Sequence, residues 1–196
     1  MDSFLGGLAA AISVVTTLPY IRDTAKGRTT PHVFTWLVWT LTGAIAFGAQ
    51  VVGGAGPGAW RTGCMAVLIA VILVMSIRQG ETQITTVDWW SLIGCGVAGA
   101  LWALTENPTL SIILVSFIDA VAYVPTYRKS WHKPGQETLS NYAWGAITQG
   151  LALAALSHYN LVTTLYPTVL LMANAGLAAL LIARRRSTEI PLPLVR

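Results

Sequence analysis

Charge is what this chain has least of. Of its 196 residues only 10% are Asp, Glu, Lys or Arg, against roughly 25% in a soluble domain. With 54% hydrophobic residues and a mean hydropathy of +0.61, the chain is expected in a bilayer, with no soluble domain. Cysteine is scarce too. Cys64 and Cys95 both fall inside apolar runs, which excludes a disulfide framework or a cysteine-based metal site. No metal or other cofactor is expected. No Ser/His/Asp set, ligand cluster or pair of intramembrane carboxylates occurs, so enzyme chemistry is not expected. No basic face on a soluble fold is available for phosphates, which excludes nucleic acid as a partner. The opening MDSFLGG lacks the positive n-region of a cleaved signal, so the first apolar run is expected to be a retained helix.

What is present is seven apolar runs, near 4–21, 33–53, 60–78, 88–105, 109–127, 141–157 and 161–183. Each approaches the length needed to cross a hydrocarbon core of about 30 Å. The fold class expected is therefore all-α integral membrane with seven transmembrane helices. Lys/Arg placement orients it. With the N-terminus outside and the C-terminus inside, 11 of the 12 cations fall on the inner side and only Arg61 on the outer. The net charge of +4 is this topology signal. Arg184, Arg185 and Arg186 read as a stop signal and an anchor to anionic lipid headgroups.

The chain also repeats itself. Residues 16–36, TTLPYIRDTAKGRTTPHVFTW, and 123–144, YVPTYRKSWHKPGQETLSNYAW, share one plan. A hydrophobic run reaches a proline (Pro19, Pro125), an arginine follows three residues later (Arg22, Arg128), and a basic loop leads into an aromatic-rich run. The same offset of 106 residues pairs Arg78 with Arg184. Residues 1–80 and 108–186 thus correspond as three-helix units. Residues 86–106 form a linker helix, and 187–196 a cytoplasmic tail. One linker helix gives both units the same orientation, a 3+1+3 arrangement of parallel repeats with a solute path between them. The linker is rich in small residues (Gly94, Gly96, Ala98, Gly99, Ala100) that suit close helix packing, so a homo-oligomer is open.

The stretches PYIRDTAKGRTTPHVFT and PTYRKSWHKPGQETLS resemble the two signatures of the PQ-loop superfamily. That superfamily includes SWEET sugar transporters and their half-size bacterial relatives, lysosomal amino-acid carriers and PnuC-type vitamin-precursor transporters. The glutamine of its Pro-Gln pair is replaced by Tyr20 and Thr126. The resemblance implies alternating access, with Pro19 and Pro125 as paired gating hinges and tryptophans and asparagines lining a central pocket. The expected setting is a bacterial inner (cell) membrane, and the expected partners are a small-molecule substrate and the lipid bilayer. A receptor or sorting protein of the same architecture is the alternative. A retinal protein is excluded, because the seventh run has no lysine for a Schiff base.

Asp119 is the sharpest single residue. No other acid lies so deep in an apolar run, and an intramembrane carboxylate is functional by default. It shares a helix face with Ser116 and Tyr123. It is expected to contact substrate or to carry a coupling proton. Its repeat counterpart is Ser13. Trp36, Trp39, Gly43, Ala46 and Gln50 form one stripe, and Asn141, Trp144 and Thr148 another, with Gln149 beside it. Flat apolar walls with a few amides suit a sugar, nucleoside or amino acid. The substrate-binding set expected is Trp39, Asp119, Tyr123, Trp144, Gln149 and Asn174. Leu68 stands opposite Asn174 in the first unit.

Overall fold

The computed structural model describes residues 1–27, 33–79, 86–105, 107–123, 127, 130–132, 134 and 139–189. Seven long helices follow the seven apolar runs: α1 Asp2–Ala25, α2 Val33–Val52, α3 Trp60–Gln79, α4 Thr86–Thr105, α5 Pro108–Ala122, α6 Leu139–Ala154 and α7 Leu161–Glu189. A short 3-10 helix, Gly56–Ala59, runs into α3. No strand occurs among the described residues. The spans Asp2–Arg22, Gly56–Arg78 and Leu161–Arg186 are long and apolar enough to cross a membrane. Trp36–Val52, Leu92–Thr105 and Pro108–Ala122 are also apolar but shorter.

Helix ends follow local chemistry. α5 starts at Asn107, whose side chain accepts the Thr109 backbone N–H at 2.9 Å, with Pro108 in the first turn, where its missing N–H costs nothing. α7 starts with a reciprocal cap. Asn160 Oδ1 accepts the Thr163 N–H at 3.1 Å, and Thr163 Oγ1 accepts the Asn160 N–H at 3.1 Å. The same Asn160 amide donates to the Gly53 carbonyl at 2.8 Å, tying the turn after α2 to the start of α7. Asn160→Ala removes the cap and this tie together. It should lower thermal stability by about 1–2 kcal/mol, read by thermal unfolding. An unchanged midpoint would mean that neither bond matters.

Two boundaries differ from expectation. α1 does not end near Pro19 but continues through it to Ala25, because a proline loosens one turn without stopping a helix held by its neighbours. Pro125, its expected partner hinge, lies outside the described residues. At the far end α7 continues into 187–189, so the expected tail begins later.

α3 packs against both α1 and α2, and α7 against both α5 and α6. α1 also packs on α6, and α2 on α5. The six helices therefore form a ring, with α4 outside it against α5 and α2. A dry core of Ala46, Ala49, Ala98, Ile112, Val115 and Tyr166 forms where α2, α4, α5 and α7 meet. Ser111 on α5 donates to the Ala98 carbonyl of α4 at 2.7 Å, holding the two helices together.

At the α2–α3 end the ring is closed by backbone. Gly54 and Gly56 have φ of 81° and 57°, which glycine adopts without strain. Ser157 N–H donates to the Ala55 carbonyl at 3.0 Å. The 3-10 turn wedges between α1 and α6: Gly6 faces Pro57, and Gly58 faces Ala152 and Leu156. These contacts leave no room for any side chain at Gly6 or Gly58.

Candidate functional site in the helix ring

The ring encloses a cavity of about 500 Å³ to which all six ring helices contribute and α4 does not. At one end Tyr20, Trp36 and Trp39 pack together, with ring centroids 5.2 Å apart for the tilted Tyr20–Trp36 pair and 5.4 Å for the edge-on Trp36–Trp39 pair. This aromatic wall sits where α2 begins. Arg61 and Thr62 sit where α3 begins, at the opposite end of the bundle.

Asp119 lines the cavity from α5. It lies three residues before that helix ends, nearer the end than the apolar run suggested, yet it is only 5% exposed. Its Oδ2 accepts the Tyr166 hydroxyl at 2.7 Å. Its Oδ1 is buried without a partner. Ser116 and Tyr123, expected on the same face, are buried and half-buried respectively. Tyr123 accepts from Asn174 Nδ2 at 2.9 Å, and that amide also donates to the Leu170 carbonyl at 2.7 Å. Asn174 is pressed against Gly145 of α6: a methyl there would meet Asn174 Oδ1 at 2.6 Å. Gly145→Ala should therefore displace the Asn174 amide from Tyr123. The expected result is severalfold weaker solute binding and a stability loss of about 1–3 kcal/mol, checked by solute exchange and thermal unfolding. No change in either would show that the Asn174–Tyr123 bond does not shape the site.

Of the six expected substrate residues, the structure brings five together: Trp39, Asp119, Tyr123, Gln149 and Asn174 all line the cavity. Trp144 does not. It is 43% exposed on the outside of the bundle. Its neighbours Asn141 and Gly145 face inward instead, because α6 is rotated so that Thr148 and Gln149, not Trp144, point to the ring interior. Gln149 is wholly buried, and neither end of its amide has a partner.

The sequence reading missed Arg61. Counted as the one outer cation, it is instead 9% exposed, lines the cavity and donates from Nε to Thr148 Oγ1 at 2.9 Å. Thr148 in turn donates to the Trp144 carbonyl at 2.9 Å, so it can only accept from the guanidinium. The available signal was the exception in the charge count: a lone arginine on the poor side of a strongly biased distribution. Tyr166 was missed too, with no signal, since only the fold brings it to Asp119 from 47 residues away. Among the described residues, Arg61 and Asp119 are the one base and one carboxylic acid lining the cavity.

The run at 184–186 also makes contacts within the protein. Arg184 Nε donates to the Trp131 carbonyl at 3.0 Å and its guanidinium lies 4.9 Å from that ring. Arg185 donates twice to the Pro134 carbonyl, at 3.2 and 3.1 Å. Two of the three arginines thus tie Trp131 and Pro134 to the end of α7. Among the described residues, no group of His, Cys, Asp or Glu could hold a metal ion. Compared with family models, curated proteins and solved structures, the chain has no significant match.

Proposed function

We propose that this chain is a small-solute membrane carrier that works by alternating access at the cavity inside the helix ring. In this reading all seven helices cross the bilayer, N-terminus outside. α1–α3 and α5–α7 are parallel repeats, and α4 links them. The packing supports the repeat. Exchanging α1 with α5, α2 with α6 and α3 with α7 turns the α1–α3 and α2–α3 contacts into α5–α7 and α6–α7. It also turns the α1–α6 contact into α5–α2. That is the pattern of a twofold axis running along the ring.

The observation that carries the function is the cavity itself. Its volume of about 500 Å³ lies in the range of small-molecule sites, roughly 300–1,000 Å³. It lies between the two proposed repeats, with an aromatic wall at one end and unpartnered polar groups along it. Buried polar groups without partners are rare and call for an explanation; a transported solute supplies one. The closed turn at Gly53–Ala59 is the outer gate, and Asp119 is the substrate or proton contact. The energy source is a solute or proton gradient.

The test is counterflow. Purified protein in proteoliposomes, preloaded with unlabelled solute, should accumulate the same solute in labelled form, across a panel of sugars, amino acids, nucleosides and organic acids. No exchange with any class, alongside tight binding of a peptide or protein, would instead favour a receptor.

A further inference from the structure

Arg61 is an expensive residue to bury. A guanidinium offers five N–H donors and stays charged, and an uncompensated buried charge is strongly disfavoured. Here, among the described residues, its side-chain hydrogen bond is to the neutral Thr148 hydroxyl. The acid in the same cavity does not neutralise it directly, since Asp119 accepts from Tyr166 and no ion pair joins the two. Beside Arg61, Thr62 lines the cavity with a buried hydroxyl that has no partner. Gln149, one residue from the Thr148 that holds Arg61, has both amide atoms unpartnered. A charged donor fork, a hydroxyl and an amide therefore converge on one end of the cavity with bonding capacity unused.

We infer that this end is an anion subsite, and that the solute carries a carboxylate bound by Arg61 with Thr62 and Gln149. The planar fork of arginine matches a carboxylate. A phosphate monoester fits poorly, since it brings about −1.5 to −2 charges to a single cation in a cavity that also holds Asp119. The rest of the solute extends toward Tyr20, Trp36 and Trp39, whose faces suit a flat apolar body. This rests on the carrier reading for its biological meaning but not for its test.

The test uses purified full-length protein in detergent and saturation-transfer NMR, which reads weak binding without flux. The probes are benzoate, its neutral isostere benzamide, and phenylalanine. At neutral pH benzoate should bind about tenfold or more tightly than benzamide, as a charge-assisted contact requires. Arg61→Gln should erase that preference, and Arg61→Lys should keep part of it. Phenylalanine ranking above benzoate would support an amino acid whose ammonium meets the free Asp119 oxygen. The reverse ranking would support a simple organic acid. Equal binding of benzoate and benzamide to the wild type, no saturable binding of either carboxylate, or a preference that survives Arg61→Gln would overturn the inference. The wild-type comparison decides even if the variants fail to fold. Acid preference without counterflow of any solute overturns only the carrier reading. Counterflow without acid preference overturns only this one.

Discussion

Asp119→Asn should abolish proton-driven accumulation and lower exchange by at least about tenfold, while leaving the protein folded. The reasoning is local. Asparagine keeps the shape of the side chain and an oxygen to accept the Tyr166 hydroxyl, now at 2.7 Å from Asp119 Oδ2. What it removes is the ability to gain and lose a proton. The second oxygen, Oδ1, has no partner in the protein. It is the atom left to meet a solute or a proton. Burying a carboxylate costs more than burying an amide of the same shape, so Asn should fold at least as well. Tyr166→Phe makes the complementary point. It removes the hydroxyl that donates to the buried Oδ2, which costs about 1–3 kcal/mol. Thermal unfolding should therefore rank Tyr166→Phe below Asp119→Asn in stability, whereas exchange assays should rank Asp119→Asn lower. Wild-type accumulation and pH response in Asp119→Asn would remove Asp119 from the mechanism.

Gly58→Ala should produce the other large effect, by holding the outer end open. A methyl at Gly58 would sit 2.5 Å from Leu156 Cδ2, 2.8 Å from the Ala152 carbonyl oxygen and 2.9 Å from Leu156 Cα. Two of these are backbone atoms of the α6 end, which cannot step aside as a flexible side chain would. The 3-10 turn must then separate from α6, and overpacking of this kind costs about 1–3 kcal/mol. Because the cost falls on the closed outer end alone, the carrier should stall with its cavity facing outward. Exchange should drop tenfold or more, with the cavity reachable from outside. Gly150→Ala is the control. Its added methyl meets nothing within 4 Å, and alanine favours a helix by up to about 1 kcal/mol over glycine. Equal exchange by the two variants would mean the turn is not a gate.

Much of the fold was legible because each helix is written as its own apolar run, separated from the next by polar or glycine-rich residues. The seven apolar runs match the seven helices to within a few residues, except that α5 stops short of the run that announced it and α7 continues well past its own. The site was less legible. Asp119 stood out because acids are scarce in apolar runs, and Asn174 and Gln149 because amides are. Trp144 was misplaced because period alone does not fix the rotation of a helix that is apolar nearly all round. Its orientation is set by Gly145 meeting Asn174 and by Thr148 meeting Arg61. Arg61 was hidden by its own position near a helix start, where a cation reads as a topology marker.

The most direct measurement is two-sided access to the cavity. Ala66 lines it from α3. With Cys64 and Cys95 replaced, Ala66→Cys in oriented membrane vesicles can be exposed to a membrane-impermeant thiol reagent from either face. A cavity that opens to each side in turn should be labelled from both faces, and labelling should slow when a transported solute is present. Labelling from one face only, or from neither, would contradict alternating access.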